Sequence, residues 1–108
     1  MTQEAFINEL DEKGYSYKIE GDKLVVTNER DVRLDYLTSL PPGVVFRNKG
    51  SVYLNSLKSL PPGVEFKNRW SVKLDSLIGG WFDDWKGNIE GIDSKRLLNS
   101  MISKGMFI

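Results

Sequence analysis

The chain has 108 residues, the size of one small domain, and its 15 basic and 15 acidic side chains give a formal net charge of zero at pH 7. It contains no histidine and no cysteine, which removes the commonest general base, the commonest metal ligand, disulfides and thiolate metal sites. No apolar run approaches the ~20 residues that a membrane helix needs, and the acidic, amphipathic N-terminus is unlike a signal peptide. These features predict a single cytoplasmic domain, residues 1–108, without membrane association, cofactor or metal.

An amphipathic helix is predicted first, over residues 2–13. Phe6 and Leu10 share one of its faces, which is typical of a helix that packs on a core. Thr2 stands where a residue that caps the N-terminus is expected, and Gly14 stands where the helix should end.

Two segments of alternating polarity, 15–19 and 23–27, follow this helix on either side of Glu20-Gly21-Asp22. This pattern predicts a strand, a turn and a second strand. We therefore expect residues 1–22 to form an N-terminal cap made of a helix and a strand.

A 20-residue repeat occupies residues 23–80, in which identical or similar residues recur at equivalent positions. They are Val32, Val52 and Val72; Leu34, Leu54 and Leu74; Leu37, Leu57 and Leu77; Phe46 and Phe66; and Asn28, Asn48 and Asn68. Each unit contains two short alternating segments and a corner, Pro41-Pro42-Gly43 or Pro61-Pro62-Gly63, where prolines exclude helix and central strand. We expect the three asparagines to bond turn backbone.

Two architectures fit such a repeat. The first is a mainly β fold with terminal helices (α+β): a short, leucine-rich-repeat-like β-solenoid of about three 20-residue coils, with a helix at each end as a cap. The alternative is a series of antiparallel hairpins, because Asn48-Lys49-Gly50 is also a fair hairpin loop. The leucines at 37, 57 and 77 favour the solenoid, in which like residues stack on like.

Residues 81–108 are predicted to form an aromatic loop and a C-terminal helical cap. The repeat stops at Ile78-Gly79-Gly80, and Asp93 can cap a helix over residues 94–105. Its inward-facing residues are expected to be Leu97, Leu98, Met101 and Ile102.

The Ser-Leu-Pro-Pro-Gly and Val-x-Phe-x-Asn elements of the repeat resemble a short bacterial leucine-rich repeat of 20 residues. The chain also resembles 20-residue repeat proteins of unknown function from phages and bacteria, which end in a short helix similar to residues 95–108. The resemblance covers about residues 23–108. It implies no enzymatic activity, and it supplies no catalytic residues.

Basic residues occupy outward positions of the repeat and form three columns. The first contains Arg33, Tyr53 and Lys73, the second contains Arg47 and Lys67, and the third contains Lys49 and Arg69. Such a basic stripe with an aromatic could follow a phosphate backbone. It could equally be a solvated strand face, since Lys and Arg protect sheet edges and the nearby acidic positions dilute the charge.

All three tryptophans, Trp70, Trp81 and Trp85, fall within sixteen residues. Aromatic residues of this kind are enriched at binding hot spots. Trp81 and Phe82 are expected to pack under the C-terminal helix, whereas Trp70 takes the position of Gly50 at a turn and is expected to be exposed. The adjacent acids Asp83 and Asp84 lack a third metal ligand and are expected to belong to a solvated loop.

These observations predict a small non-enzymatic binding module, cytoplasmic in a bacterium or a phage-infected cell. The first hypothesis for its partner is a protein, with the chain acting as a phage or mobile-element accessory factor on a host protein. The alternatives are nucleic-acid binding through the basic face, and a structural homo-oligomer. The residues expected to bind a partner are Trp70, Tyr53, Arg47, Lys67, Arg33, Lys73 and Trp85.

Overall fold

The first helix begins and ends where the sequence predicts. The computed structural model describes residues 1–78 and 94–105, and helix α1 covers Gln3–Lys13. The hydroxyl of Thr2 accepts a hydrogen bond from the backbone N–H of Ala5 at 3.1 Å, and Gly14 ends the helix at a φ of 71°. Phe6 and Leu10 are fully buried, so α1 packs on the core through the predicted face.

The described residues form strands and two further helices. The strands are β1 (Tyr17–Glu20), β2 (Lys23–Val26), β3 (Val32–Arg33), β4 (Val44–Phe46), β5 (Val52–Tyr53), β6 (Glu65–Phe66) and β7 (Val72–Lys73); the helices are α2 (Asp75–Ile78) and α3 (Ser94–Ser103). Within this part of the chain, no helix has the length and apolar character that crossing a bilayer requires.

The strands assemble into two sheets. Sheet A has the order β1-β2-β4-β6, and sheet B has the order β3-β5-β7. Strands β1 and β2 form the predicted antiparallel hairpin. All other pairs are parallel and join residues 20 positions apart, such as Leu24 with Val44 in sheet A and Val32 with Val52 in sheet B.

The core lies between the two sheets and α1. Alternate residues of each strand face it, as the pleat requires. It is completed by the Leu residues of the connecting segments and by Ile102 of α3, which is fully buried. The rings of Phe46 and Phe66 stack with centroids 5.1 Å apart and planes 7° apart, so the parallel register also sets the aromatic packing.

Asparagine side chains hold the turns that connect sheet A to sheet B. The amide nitrogen of Asn48 donates to the carbonyls of Arg30 and Ser51, both at 3.2 Å. The amide nitrogen of Asn68 makes the equivalent bonds one unit later. Both side chains are buried, and the prediction that the asparagines bond turn backbone is confirmed.

Two side chains from outside the repeat bond to the backbone of terminal strands, one at the first strand of sheet B and one at the last strand of sheet A. The hydroxyl of Tyr15 accepts a hydrogen bond from the N–H of Arg33, the last residue of β3, at 3.1 Å. At β6, the side-chain amide of Asn99 in α3 accepts from the Phe66 N–H at 2.7 Å and donates to the Phe66 carbonyl at 3.0 Å. Asn99 therefore substitutes for a neighbouring strand at this residue.

The predicted solenoid is wrong. The chain is a small α+β domain with one mixed and one parallel sheet, and the described residues do not form closed coils. The segments that carry Pro-Pro-Gly form turns, as predicted. Sheet A, however, begins with the antiparallel strand β1 rather than with a capping helix. The hairpin alternative is wrong as well, because the equivalent strands of successive repeats pair in parallel.

Candidate functional site

Three predicted site residues form one row on the outer face of sheet B, which we call the sheet-B row: Arg33, Tyr53 and Lys73. They are adjacent because β3, β5 and β7 pair in a register that aligns them, and they face away from the core because their neighbours Val32, Leu34 and their equivalents face into it. The guanidinium of Arg33 lies 4.0 Å from the centroid of the Tyr53 ring. This distance is that of a cation–π contact, which orders both side chains.

A column of polar residues runs beside the sheet-B row. The amide nitrogen of Asn55 donates to the carboxylate of Asp35 at 2.8 Å, and the amide oxygen of Asn55 accepts from the backbone N–H of Asp75 at 3.3 Å. The carboxylate of Asp75 in turn lies 3.6 Å from the ammonium group of Lys73. The face of sheet B therefore presents an arginine and an aromatic ring beside acids, rather than an unbroken basic stripe.

The other two predicted basic residues, Arg47 and Lys67, lie on the outer face of sheet A and are ion-paired. Arg47 is 3.7 Å from Glu20, and Lys67 is 3.2 Å from Glu65. The structure therefore divides the predicted basic residues between two sheets and places a carboxylate beside each member of this second column.

Glu65 is at the centre of the charges on sheet A. The ammonium of Lys23 reaches its carboxylate, at 3.6 Å, from two strands away across β4. Partial desolvation acts to raise the pKa of Glu65, but the hydrogen bond and charge of Lys67 and the charge of Lys23 outweigh it, so the pKa is lowered. Val45, which alternates with core residues and so lies on this outer face, is nonetheless buried.

Trp70 projects from the turn between sheets A and B, with 58% of its surface exposed. The backbone around it is fixed: the N–H of Trp70 donates to the carbonyl of Gly50 at 3.2 Å, and its carbonyl accepts from the Asn68 amide at 2.9 Å. The guanidinium of Arg69 lies 5.3 Å from the indole ring. The expectation that Trp70 is exposed at a turn agrees with this geometry.

The glycine at the equivalent position one unit earlier is required by a close approach of the chain. A Cβ on Gly50 would lie 2.4 Å from the carboxylate oxygen of Asp31 and 2.5 Å from its backbone nitrogen. That carboxylate accepts a hydrogen bond from the N–H of Ser51 at 2.8 Å. The difference between Gly50 and Trp70 therefore reflects packing at the first turn and exposure at the second.

An open depression also lies at the stacked corners of the repeat. Its volume is about 420 Å³, and its lining residues are Asp22, Lys23, Pro42, Gly43, Pro62 and Gly63. Sequence analysis treated these corners as structural and did not predict a concavity. The sequence feature that could have predicted this depression is the recurrence of Pro-Pro-Gly after 20 residues, because the parallel register brings the two segments together.

Trp85, the remaining predicted binding residue, lies outside the described residues, as do Trp81, Phe82, Asp83 and Asp84. In the described part of the chain, no cluster of three or more acidic residues is arranged to hold a metal ion.

Two aromatic contacts were not anticipated. One is the cation–π contact between Arg69 and Trp70. The other is the exposed ring of Tyr36, whose hydroxyl donates to Glu9 and whose face is 5.0 Å from the Lys13 ammonium. Tyr36 meets residues of α1 more than 20 positions earlier, and the repeat pattern gives no information about such contacts.

No protein-family model, no curated protein and no solved structure matches the chain.

Proposed function

We propose that this chain is a non-enzymatic module that binds a protein partner through Trp70, Arg69 and the sheet-B row. The observation that carries the proposal is the exposure of Trp70 on a turn whose backbone is fixed by hydrogen bonds. An exposed tryptophan held on a fixed backbone is the kind of residue that most often forms the centre of a binding hot spot.

The surroundings of Trp70 support this proposal because they reduce the entropy lost on binding. The indole is already in contact with Arg69, and Tyr53 is already in contact with Arg33. Tryptophan, tyrosine and arginine are the residues most enriched at binding hot spots. A preorganised group of these three types favours affinity without induced folding.

The sheet-B row extends the proposed surface because β7 begins two residues after Trp70. Its charge is mixed. Asp35 follows Arg33 by two residues in the chain, and the carboxylate of Asp75 lies 3.6 Å from the ammonium of Lys73. A mixed surface of this kind suits a protein partner that offers both acids and bases at the rim of the interface.

The resemblance of the repeat to phage and bacterial proteins leads us to seek the partner among bacterial host proteins, with the chain as an accessory factor. The sequence contains no histidine, so the commonest forms of general base catalysis have no residue to perform them. We therefore propose binding, rather than chemistry, as the activity.

The test is capture of a partner from bacterial lysate, followed by titration of the purified partner against variants. We expect Trp70→Ala to weaken binding by at least about tenfold, as hot-spot truncations do. Tyr36→Ala is the matched control, because it removes an exposed aromatic at a different surface, and it should bind as the wild type does. Equal affinity of Trp70→Ala and wild type would contradict the proposal, and so would the failure of the wild type to retain any protein.

Nucleic-acid binding is the second candidate, and the ion pairs argue against it. Arg47, Lys67 and Lys73 each lie within 4 Å of a carboxylate, and this reduces the number of phosphates that they can neutralise. A nucleic-acid binder would lose affinity steeply with rising salt. Fluorescence anisotropy with labelled single-stranded and double-stranded DNA at low salt should therefore show no binding in the micromolar range.

A further inference from the structure

Strand β1 leaves one edge of sheet A unpaired within the described residues. It is the terminal strand in the order β1-β2-β4-β6, and its only strand partner there is β2. The edge is available for pairing because backbone groups alternate in direction along an antiparallel strand. The Ser16 carbonyl accepts from the Thr27 N–H at 2.9 Å, so Ser16, Lys18 and Glu20 direct their backbone groups towards β2. The backbone groups of Tyr17 and Ile19 therefore point away from β2.

The side chains of β1 are also unusual for an edge strand. Ile19 is 57% exposed, although it alternates into the inner face of the sheet. On the other face, the ammonium of Lys18 and the carboxylate of Glu20 lie 2.9 Å apart, and both are exposed. A lysine on an edge strand usually prevents pairing with another strand, because its charge would become buried or meet a like charge. Here Glu20 lies two positions from Lys18 on the same face, so a partner strand can offer a charge of opposite sign to each.

We propose that β1 pairs with β1 of a second copy of this chain, antiparallel and with the two-fold axis at Ile19. In this register Ile19 lies opposite Ile19 of the second copy. Lys18 then lies opposite Glu20 of the second copy, and Glu20 lies opposite its Lys18. The strand is complementary in charge to itself about Ile19, and this complementarity identifies the occupant of the edge as a second copy.

The backbone fits the same register. Ile19 directs both its N–H and its C=O outwards, so the central pair exchanges two hydrogen bonds across the axis. The two exposed isoleucine side chains lie on the same face and cover each other. Tyr17 lies opposite Gly21 of the second copy, a turn residue outside β1 that has no side chain to obstruct it. The result is one continuous eight-stranded sheet, two copies of the four-stranded sheet A.

This surface is separate from the proposed partner-binding surface, since it lies on the first strand of sheet A rather than on sheet B. A four-residue strand buries less area than stable dimer interfaces do. The dimer is therefore expected to be weak, with a dissociation constant in the range of about 10 μM to 1 mM.

The test is sedimentation equilibrium of the whole chain from micromolar concentrations to ~1 mM. The wild type should show a monomer–dimer equilibrium. In a dimer of Lys18→Glu, or of Glu20→Lys, both of the cross-copy pairs between residues 18 and 20 join like charges. Each of these variants should therefore raise the dissociation constant by about tenfold or more. An equimolar mixture of these two variants should dimerise, because every cross-copy pair again joins an acid to a base.

The double variant Lys18→Glu/Glu20→Lys should also dimerise, since it exchanges the charges and keeps them complementary. A further variant, Ile19→Pro, removes an outward N–H that sheet A does not use, and it should be monomeric while keeping the wild-type circular dichroism spectrum. A wild type that is monomeric throughout the concentration range would overturn the proposal. A dimer that Lys18→Glu or Ile19→Pro leaves intact would overturn it equally, because it would use another surface.

Discussion

The asparagine side chains of the turns differ in how completely they are enclosed. Asn48 and Asn68 are buried, whereas Asn28 is only half-buried. The amide nitrogen of Asn68 donates to three carbonyls at 2.9 to 3.2 Å. That of Asn28 donates to two carbonyls, both at 3.4 Å. Asparagines at equivalent positions of the repeat therefore make hydrogen bonds of different number and length to their turns.

We expect Asn68→Ala to lower the free energy of unfolding by about 2–3 kcal/mol, because it leaves buried carbonyls without their donor. Asn28→Ala is the matched control, and its loss should stay below about 1 kcal/mol, because water can replace a long bond near the surface. Urea denaturation of the three proteins measures both losses. Equal losses at the two positions would show that burial does not determine the contribution of these asparagines.

At the scale of the residue, sequence analysis recognised the asparagines because they recur at a fixed spacing beside turns. It also anticipated the exposure of Trp70 from the difference between Trp70 and Gly50. It could not give the reason for Gly50, because the approach of Asp31 to within 2.4 Å of its Cβ position depends on how adjacent turns stack.

At the scale of the element, helix α3 is attached to sheet A through one amide side chain. Asn99 makes two hydrogen bonds to the backbone of Phe66, and Ile102 in the same helix is fully buried. The polar contact fixes the position of the helix along β6, and Ile102 adds an apolar contact with the core.

We expect Asn99→Ala to increase hydrogen exchange of the Phe66 amide by about tenfold or more, because its N–H loses its acceptor. The global free energy of unfolding should fall by about 1–2 kcal/mol. Ser100→Ala changes the next, exposed residue of α3 and should alter neither quantity. Unchanged protection of the Phe66 amide in Asn99→Ala would indicate that a group other than Asn99 accepts its hydrogen bond.

The elements themselves were more predictable than their assembly. Helix α1 and the β1–β2 hairpin follow from local signals, namely a cap, a glycine and an alternating pattern. The spacing of the repeat also indicated which residues would align. The prolines indicated that the Pro-Pro-Gly segments form corners, and the structure has turns there. The spacing did not indicate that sheet A is mixed, since this feature depends on tertiary packing. For the same reason, the ion pair of Arg47 with Glu20 of β1 was missed.

At the scale of the whole molecule, stability should depend on alkaline pH through Tyr36. Partial desolvation and the hydrogen bond to Glu9 raise the pKa of Tyr36 from 10.0 to about 12. Above pH 10 the unfolded chain loses the phenolic proton while the folded chain keeps it. The free energy of unfolding therefore falls as the pH rises from 10 to about 12, and the contribution of this group is complete only below pH 10.

Tyr36→Phe removes this titration and should show a smaller fall in the free energy of unfolding over the same interval. Urea denaturation at several pH values between 9 and 12 measures the difference. Parallel curves for the two proteins would contradict the role assigned to Tyr36.

The constant register of the sheets also bears on how the chain folds. Each parallel pairing in the described residues joins positions 20 apart, so each closes a loop of the same length at a similar entropic cost. A newly synthesised chain can therefore complete each strand pairing as soon as one more repeat has left the ribosome. The contact of Asn99 with Phe66 spans 33 positions, and we expect it to be among the last to form.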